Sequence, residues 1–327
     1  MKALLINKQQ VSELLTMGAC IDLMDETFKN FSTGNAVQPL RNAMWLPDKK
    51  GLLGMMPAYM ENTRSMGIKV VSVFPGNHAK GLSSHQGVVL LFESETGEMY
   101  AIIDGDRVTA IRTAAASAVA TKALAREDSK TLAILGSGEQ ALRHLEAMLL
   151  VRNIAHVVIW SRNEEHARMF MDVTKTNYKV PIETKPTVEE AVTSADIICT
   201  TTSSTQPILR SEWVKDGAHI NAVGACTSNA RELESALVAR SKLYTDCRES
   251  LINESGDYRI PLGEGLFDET HLKGEIGQLL NGDITGRQSD KEITLFKSLG
   301  MAVEDLAACH YIHKKAKENK LGTEIEL

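Results

Sequence analysis

The stretch AILGSGEQA, residues 133–141, sets Gly136, Gly138 and Ala141 at the G-x-G-x-x-G/A spacing that cradles a dinucleotide pyrophosphate. Gly136 permits a tight turn, Gly138 lets the backbone approach the phosphates, and Ala141 allows a helix to pack closely on a strand. Backbone N–H groups of Ser137, Glu139 and Gln140, at the start of the helix, would hold the phosphates. The plainer reading is a structural strand-to-helix turn. A second residue asks for chemistry in GIKVVSVFPGN, residues 67–77, which reads as a strand ending in a Pro-Gly-Asn turn. Ile68, Val70, Ser72 and Phe74 share one face, while Lys69, Val71 and Val73 share the other. With both faces apolar, Lys69 is expected to be buried, which calls for an anionic partner, a shifted pKa or a function. The alternative is a lysine whose stem packs while its ammonium reaches water.

The residues around the glycine turn address the choice of cofactor. An NAD site places a carboxylate at the end of the next strand, to accept from the ribose 2′-hydroxyl. Here VVIW is followed by Ser161, Arg162 and Asn163, and no acid comes before Glu164. An arginine at that point can pair with a 2′-phosphate, so NADPH is expected, with NADH as the alternative; a solvated loop arginine is the plain reading. Thr201, Thr202 and Ser203 of CTTTSSTQPIL follow another strand, at the sheet edge where ligands bind. In NAVGAC, the small residues at Val223, Gly224 and Ala225 allow close approach to a nicotinamide ring. Both stretches also fit ordinary loop composition.

These residues must be positioned by two kinds of structure. Residues 11–31 carry helical spacing interrupted near Met17-Gly18, which predicts two short helices. From about residue 39 to 108, short alternating runs separated by turns predict a mostly antiparallel sheet built from hairpins. Residues 108–126 are Ala-rich and helical. Strands then alternate with helices, which predicts a Rossmann-type, doubly wound parallel sheet. The periodicity of residues 293–319 predicts one long C-terminal helix. The fold class is therefore α/β, with a β-rich (α+β) domain over residues 1–115, to which a C-terminal helix 306–327 is expected to return. The Rossmann NAD(P)-binding domain spans 116–305.

Composition narrows the partners. A net charge of −6 and the lack of any basic run leave little support for nucleic acid, although a local cation cluster can still receive a small anionic substrate. No apolar run is long enough to span a bilayer, and the N-terminus MKALLINKQQVSELL lacks a small-residue cleavage site, so a mature protein without membrane attachment is expected. The five cysteines are scattered and unpaired in spacing, pointing to reduced thiols in a cytoplasm, with neither a disulfide framework nor a metal site.

Taken together, GIKVVSVFPGN, DGDRVTAIRTAAASAVATKALA, LGSGEQA, INAVGA, RELES and LFKSLG resemble the ornithine cyclodeaminase/μ-crystallin family over most of the chain. The resemblance implies a homodimer whose β-rich domains pair, with a substrate pocket beside each Rossmann domain. It places two arginines that clamp a substrate α-carboxylate on Arg41 and Arg112, and the group that exchanges a proton at the reacting centre on Lys69. Thr113, next to Arg112, joins the cofactor set. His85 of Ser84-His85-Gln86 is a candidate for proton relay or substrate contact, and Lys297 and Ser298 for contact with the cofactor or pocket.

One departure matters. In the cyclodeaminases an aspartate follows the small residues after the equivalent of INAVG, whereas here that position is Cys226. A neutral thiol is no substitute for a carboxylate paired with ammonium. The resemblance is therefore strongest to the ketimine reductase members, which implies NAD(P)H-dependent reduction of Δ1-pyrroline-2-carboxylate, or of Δ1-piperideine-2-carboxylate, to L-proline or L-pipecolate. The alternatives are ornithine cyclisation, an alanine or other amino-acid dehydrogenase, and a μ-crystallin-like protein that binds NADPH without turnover.

Overall fold

The computed structural model describes residues 2–326, apart from the side chains of residues 78 and 79. The chain forms two compact units, one comprising residues up to Arg112 and from Gly300 onward, the other Thr113–Leu299.

The first unit opens with strand β1 (Lys2–Ile6), a stretch whose apolar patch alone gives no sign of a strand. Helix α1 (Lys8–Leu14) starts at a capping box formed by Asn7 and Gln10. Helix α2 (Met17–Ser32) starts anew at Thr16, whose hydroxyl accepts from the Ala19 N–H, so the expected pair of helices breaks at Leu15–Thr16. Then come β2 (Ala36–Val37), β3 (Asn42–Trp45), β4 (Leu52–Met60), β5 (Ser65–Val73), β6 (His85–Glu93) and β7 (Met99–Asp104). Antiparallel ladders join β4 to β5, β5 to β6 and β6 to β7. Helix α3 (Gly105–Leu124) leads from β7 into the second unit.

The second unit runs β8 (Thr131–Leu135), α4 (Glu139–Val151), β9 (His156–Trp160), α5 (Glu164–Asn177), β10 (Ile182–Thr184), α6 (Val188–Val192), β11 (Ile197–Thr200), β12 (His219–Ala222), α7 (Ser235–Arg240), β13 (Lys242–Thr245), α8 (Arg248–Glu254), α9 (Gly256–Gly263), β14 (Leu272–Glu275), α10 (Ile276–Asn281) and β15 (Thr294–Lys297). Its eight strands are all parallel, in the order β10-β9-β8-β11-β12-β15-β13-β14. Sequence order reverses between β8 and β11, the switch point beside which doubly wound sheets bind ligands.

The structure corrects the single long helix expected over 293–319. Ile293 to Lys297 are buried without interruption, as befits a parallel strand covered on both faces, and β15 lies between β12 and β13. A short apolar run of this kind is not distinguishable from a helix segment by periodicity. Gly300, at φ +77°, separates this strand from helix α11 (Ala302–Asn319). After α11 the chain ends not in helix but in β16 (Thr323–Glu326), which pairs antiparallel with β1; Leu327 lies outside the described residues. Parallel pairing of β1 with β7 completes an eight-stranded mixed sheet.

Helix α11 packs across β4, β5 and β6. Met56, Ala58, Lys69, Val89, Leu91, Ala101 and Ile103 are buried on that face. The other face departs from the expectation that both are buried: Met55, Ile68, Val70 and Leu90 are only half-buried, and Met66 and Val88 are exposed.

Candidate functional site

In the first unit, Lys69 is 5% exposed. Its ammonium donates to Asp305 Oδ2 at 2.9 Å and to Thr109 Oγ1 at 3.0 Å. The anionic partner that a buried lysine requires is thus supplied by α11. Arg112, on α3, is also buried and donates through Nε to Asp305 Oδ1 (3.0 Å) and through Nη1 to Glu304 Oε2 (2.7 Å). Arg41, half-buried in the segment before β3, donates to the Gly300 carbonyl at 3.1 Å. Gly300 also faces Arg112, because a Cβ there would lie 2.7 Å from Nη1. One glycine therefore touches both arginines.

Burial pushes the Lys69 ammonium below the usual lysine range; Asp305 opposes this, while Arg112 and Arg41 add to it. For Asp305, burial favours the neutral acid, but Arg112 and Lys69 outweigh it and hold the carboxyl below its ordinary value. The cluster thus keeps an ionised carboxylate against a lysine that releases its proton readily, which suits a proton donor. His85 stands apart from this cluster. It is exposed at the start of β6, with Nδ1 3.0 Å from Ser84 Oγ. It lies on the same sheet face as Lys69, four register positions away, which is about 13 Å along the ladder.

In the second unit the glycine turn lies at the carboxyl end of β8. Gly136 adopts φ +128°, and a Cβ on it would meet Thr201 Oγ1 at 2.6 Å. Gly138 is the N-cap of α4, exposed, and a Cβ there would meet nothing within 4 Å. Ala141, in the first turn of α4, is fully buried. Open space at the second glycine, with the exposed helix start of Glu139 and half-buried Gln140 beside it, fits a pyrophosphate. Ser137 Oγ donates to Ser161 Oγ at 3.0 Å, tying the turn to the end of β9. Arg162 is exposed just beyond, and Asn163 caps α5 through its side chain. Thr113 is buried on α3.

Thr201, Thr202 and Ser203 follow β11, while Val223, Gly224 and Ala225 follow the adjacent β12. Ser203 and Gly224 are exposed at this edge. Cys226 is half-buried, with Sγ 3.4 Å from the Val223 carbonyl. Lys297 is not a surface contact of the pocket: it is 1% exposed, donates to the Ala225 carbonyl at 2.6 Å and pairs with Asp257 at 3.0 Å. Ser298 is likewise buried.

Four acids escaped the sequence pattern: Asp305, Glu304, Glu232 and Asp257, all buried and all contacting candidate residues or the loops that carry them. For Asp305 and Glu304 the signal was their place in apolar surroundings, in MAVEDLAACH; Glu232 of RELES and Asp257 of ESGDYR sit among polar residues. Among the described residues, no group of three His, Cys, Asp or Glu could hold a metal ion, and no helix is long and apolar enough to cross a membrane.

A glycine turn at the switch point of an all-parallel, doubly wound sheet defines a Rossmann-type α/β protein. Residues 1–320 match the ornithine cyclodeaminase/mu-crystallin family, and the chain belongs to that family. It is 37% identical to the Δ1-pyrroline-2-carboxylate reductase of Bacillus thuringiensis, over 99% of both chains. It is also 37% identical to the ketimine reductase mu-crystallin of Mus musculus, over 97% of this chain and 98% of that one. Among solved structures, Thermococcus litoralis Δ1-pyrroline-2-carboxylate reductase in complex with NADH and L-proline superposes with a TM-score of 0.96 at 38% identity, over 98% of this chain and 100% of the other.

Proposed function

We propose that this protein reduces Δ1-pyrroline-2-carboxylate to L-proline with a reduced nicotinamide cofactor, and that it accepts the six-membered homologue as well. The observation that carries the reading is the buried Lys69, whose ammonium donates to Asp305 and Thr109 while two nearby arginines press it to release its proton. The full-length likeness to reductases of this substrate, one of them bound to NADH and L-proline, supports the same reaction.

The reaction adds a hydride to C2 of the ring and a proton to its nitrogen. When bound, the cofactor supplies the hydride. Lys69 supplies the proton and becomes a neutral amine, a form that its burial favours. Arg41 and Arg112 hold the substrate carboxylate, for which planar guanidinium forks are suited; His85, about 13 Å from Lys69 along the ladder, is too far to exchange a proton with it directly and is left to contact substrate. No amine is expelled, so the thiol of Cys226 is compatible with the chemistry.

Gly136 to Ala141 hold the pyrophosphate. Ser161, Arg162 and Asn163 hold the adenosine ribose, and the exposed Arg162 favours NADPH over NADH by pairing with a 2′-phosphate. Thr113, Thr201 to Ser203 and Val223 to Ala225 serve the nicotinamide half. The first unit carries substrate binding and dimerisation, the second cofactor binding. A second copy of the chain would cover the sheet face carrying Met66 and Val88, whose exposure supports a homodimer; the free cysteines fit a cytoplasm.

The test is imine-dependent loss of NADPH absorbance, with a parallel arm of L-ornithine and NAD⁺ assayed for ammonia. Turnover in the first arm alone is expected. Ammonia from ornithine, without imine reduction, would assign the cyclodeaminase reaction instead.

A further inference from the structure

Glu232 lies in the RELES stretch, outside every proposed ligand contact, yet it is completely buried. It binds both sheet-edge loops at once. Oε1 accepts from the Thr202 N–H at 2.8 Å and from the Thr202 hydroxyl at 2.6 Å. Oε2 accepts from the Gly224 N–H at 2.8 Å and from the Thr200 hydroxyl at 2.7 Å. Four donors on two oxygens fill the carboxylate, and two of them are backbone groups that can only donate.

The packing leaves no slack. A Cβ on Gly224 would lie 2.1 Å from the Thr202 carbonyl and 2.6 Å from Glu232 Oε1, so only glycine permits the loops to close on the acid. The acid is itself fixed from behind. Asp257 Oδ1 accepts from the N–H groups of Glu232 and Leu233, each at 3.0 Å. The other oxygen of Asp257 pairs with Lys297, whose ammonium also donates to the Ala225 carbonyl. The chain of contacts thus returns to the second loop through Ala225.

We infer that Glu232, braced by Asp257 and Lys297, is a positioning residue that sets the spacing of the Thr202 and Gly224 loops and so the placement of the nicotinamide half of the cofactor. The inference rests on the reading of those loops as the nicotinamide site. Glu232 touches no reacting atom; it acts through the backbone of the residues that do. Glu232 accepts from Thr200 and Thr202, whereas the glycine turn of the adenosine half meets this loop at Thr201.

Two ligands separate these halves: NADPH, and 2′-phospho-ADP-ribose, which lacks the nicotinamide. Their affinities are measured by calorimetry on the full-length protein and on Glu232→Gln and Thr200→Val. Glutamine offers only one accepting oxygen and sets an N–H₂ against a backbone N–H. The substitution of Thr200 removes one donor with little change in volume, at a fully buried position outside the residues assigned to the ligand.

Glu232→Gln is expected to weaken NADPH at least about ten-fold, the worth of a hydrogen bond to a charged group, while 2′-phospho-ADP-ribose changes less than about two-fold. Thr200→Val is expected to act in the same direction and more weakly, and it decides the question if Glu232→Gln does not fold. Unchanged NADPH affinity in the variants, or equal weakening of both ligands, would overturn the inference while leaving the cofactor reading intact. A wild-type protein that binds neither of these ligands nor NADH would instead remove the cofactor reading, and the inference with it.

Discussion

The Lys69 ammonium lies 2.9 Å from Asp305 Oδ2, with both groups buried, and the second oxygen of the same carboxylate accepts from Arg112 Nε at 3.0 Å. One acid on α11 therefore serves a cation on β5 and another on α3. Burial drives Lys69 towards its neutral form, and Asp305 is the group that opposes it.

This relationship fixes a sign for the pH profile. In the proposed mechanism the proton comes from Lys69, so activity is expected to fall as pH rises through the Lys69 pKa. Asp305→Asn removes the charge that holds that pKa up and leaves Arg112 and Arg41, which push it down. The alkaline limb of kcat/KM is expected to move at least about one unit towards acid. The other groups that face Lys69 are Thr109 and the buried thiol of Cys309, whose own pKa is raised by burial. A limb that stays in place would show that Lys69 does not set the profile.

Lys69→Met keeps the stem of the side chain and removes the proton. Turnover is expected to drop by at least about 10²-fold, the usual contribution of a positioned acid. NADPH affinity, measured by fluorescence, is expected to stay near that of the wild type. Retained turnover would remove Lys69 from the mechanism.

Gly300 tests the arginine pair. At φ +77°, with a would-be Cβ 2.7 Å from Arg112 Nη1, alanine there is strained and displaces the guanidinium. Gly300→Ala is expected to cost about 1–3 kcal/mol of stability, read by denaturant unfolding, and to raise KM for the imine. Normal KM in a destabilised protein would separate the glycine from substrate binding.

Arg162 tests the choice of cofactor. Arg162→Asp is expected to lower the ratio of NADPH to NADH specificity by about ten-fold or more, since one charge-assisted contact to phosphate is exchanged for repulsion. Steady-state kcat/KM with each cofactor reads this directly. A constant ratio would reassign Arg162 to the solvated surface.

Legibility in the sequence follows the range of the interactions. Gly136, Gly138 and Ala141 are readable because turn, phosphate approach and helix packing fall within six residues. Lys69 is readable as a misfit, a charge in a β-branched run. Asp305 and Glu304 are not, because two acids on a helix pattern look like its solvent side; only the packing of α11 on the sheet buries them. β1 and β16 are unreadable locally, since the partners in Lys2–Glu326 pairing are the two ends of the chain. β15 is hidden by an apolar run too short for its period to decide. The exposed second face of the first sheet has the same apolar composition as a buried one, so sequence pattern gives no warning of it.

The most direct measurement uses NADPH carrying deuterium at both C4 positions, with Δ1-pyrroline-2-carboxylate and the wild-type protein, and reads the product by mass spectrometry and chiral chromatography. Hydride transfer to C2 predicts L-proline with one deuterium on Cα, formed in step with NADPH loss. Unlabelled proline, or no proline at all while the cofactor binds, would contradict it.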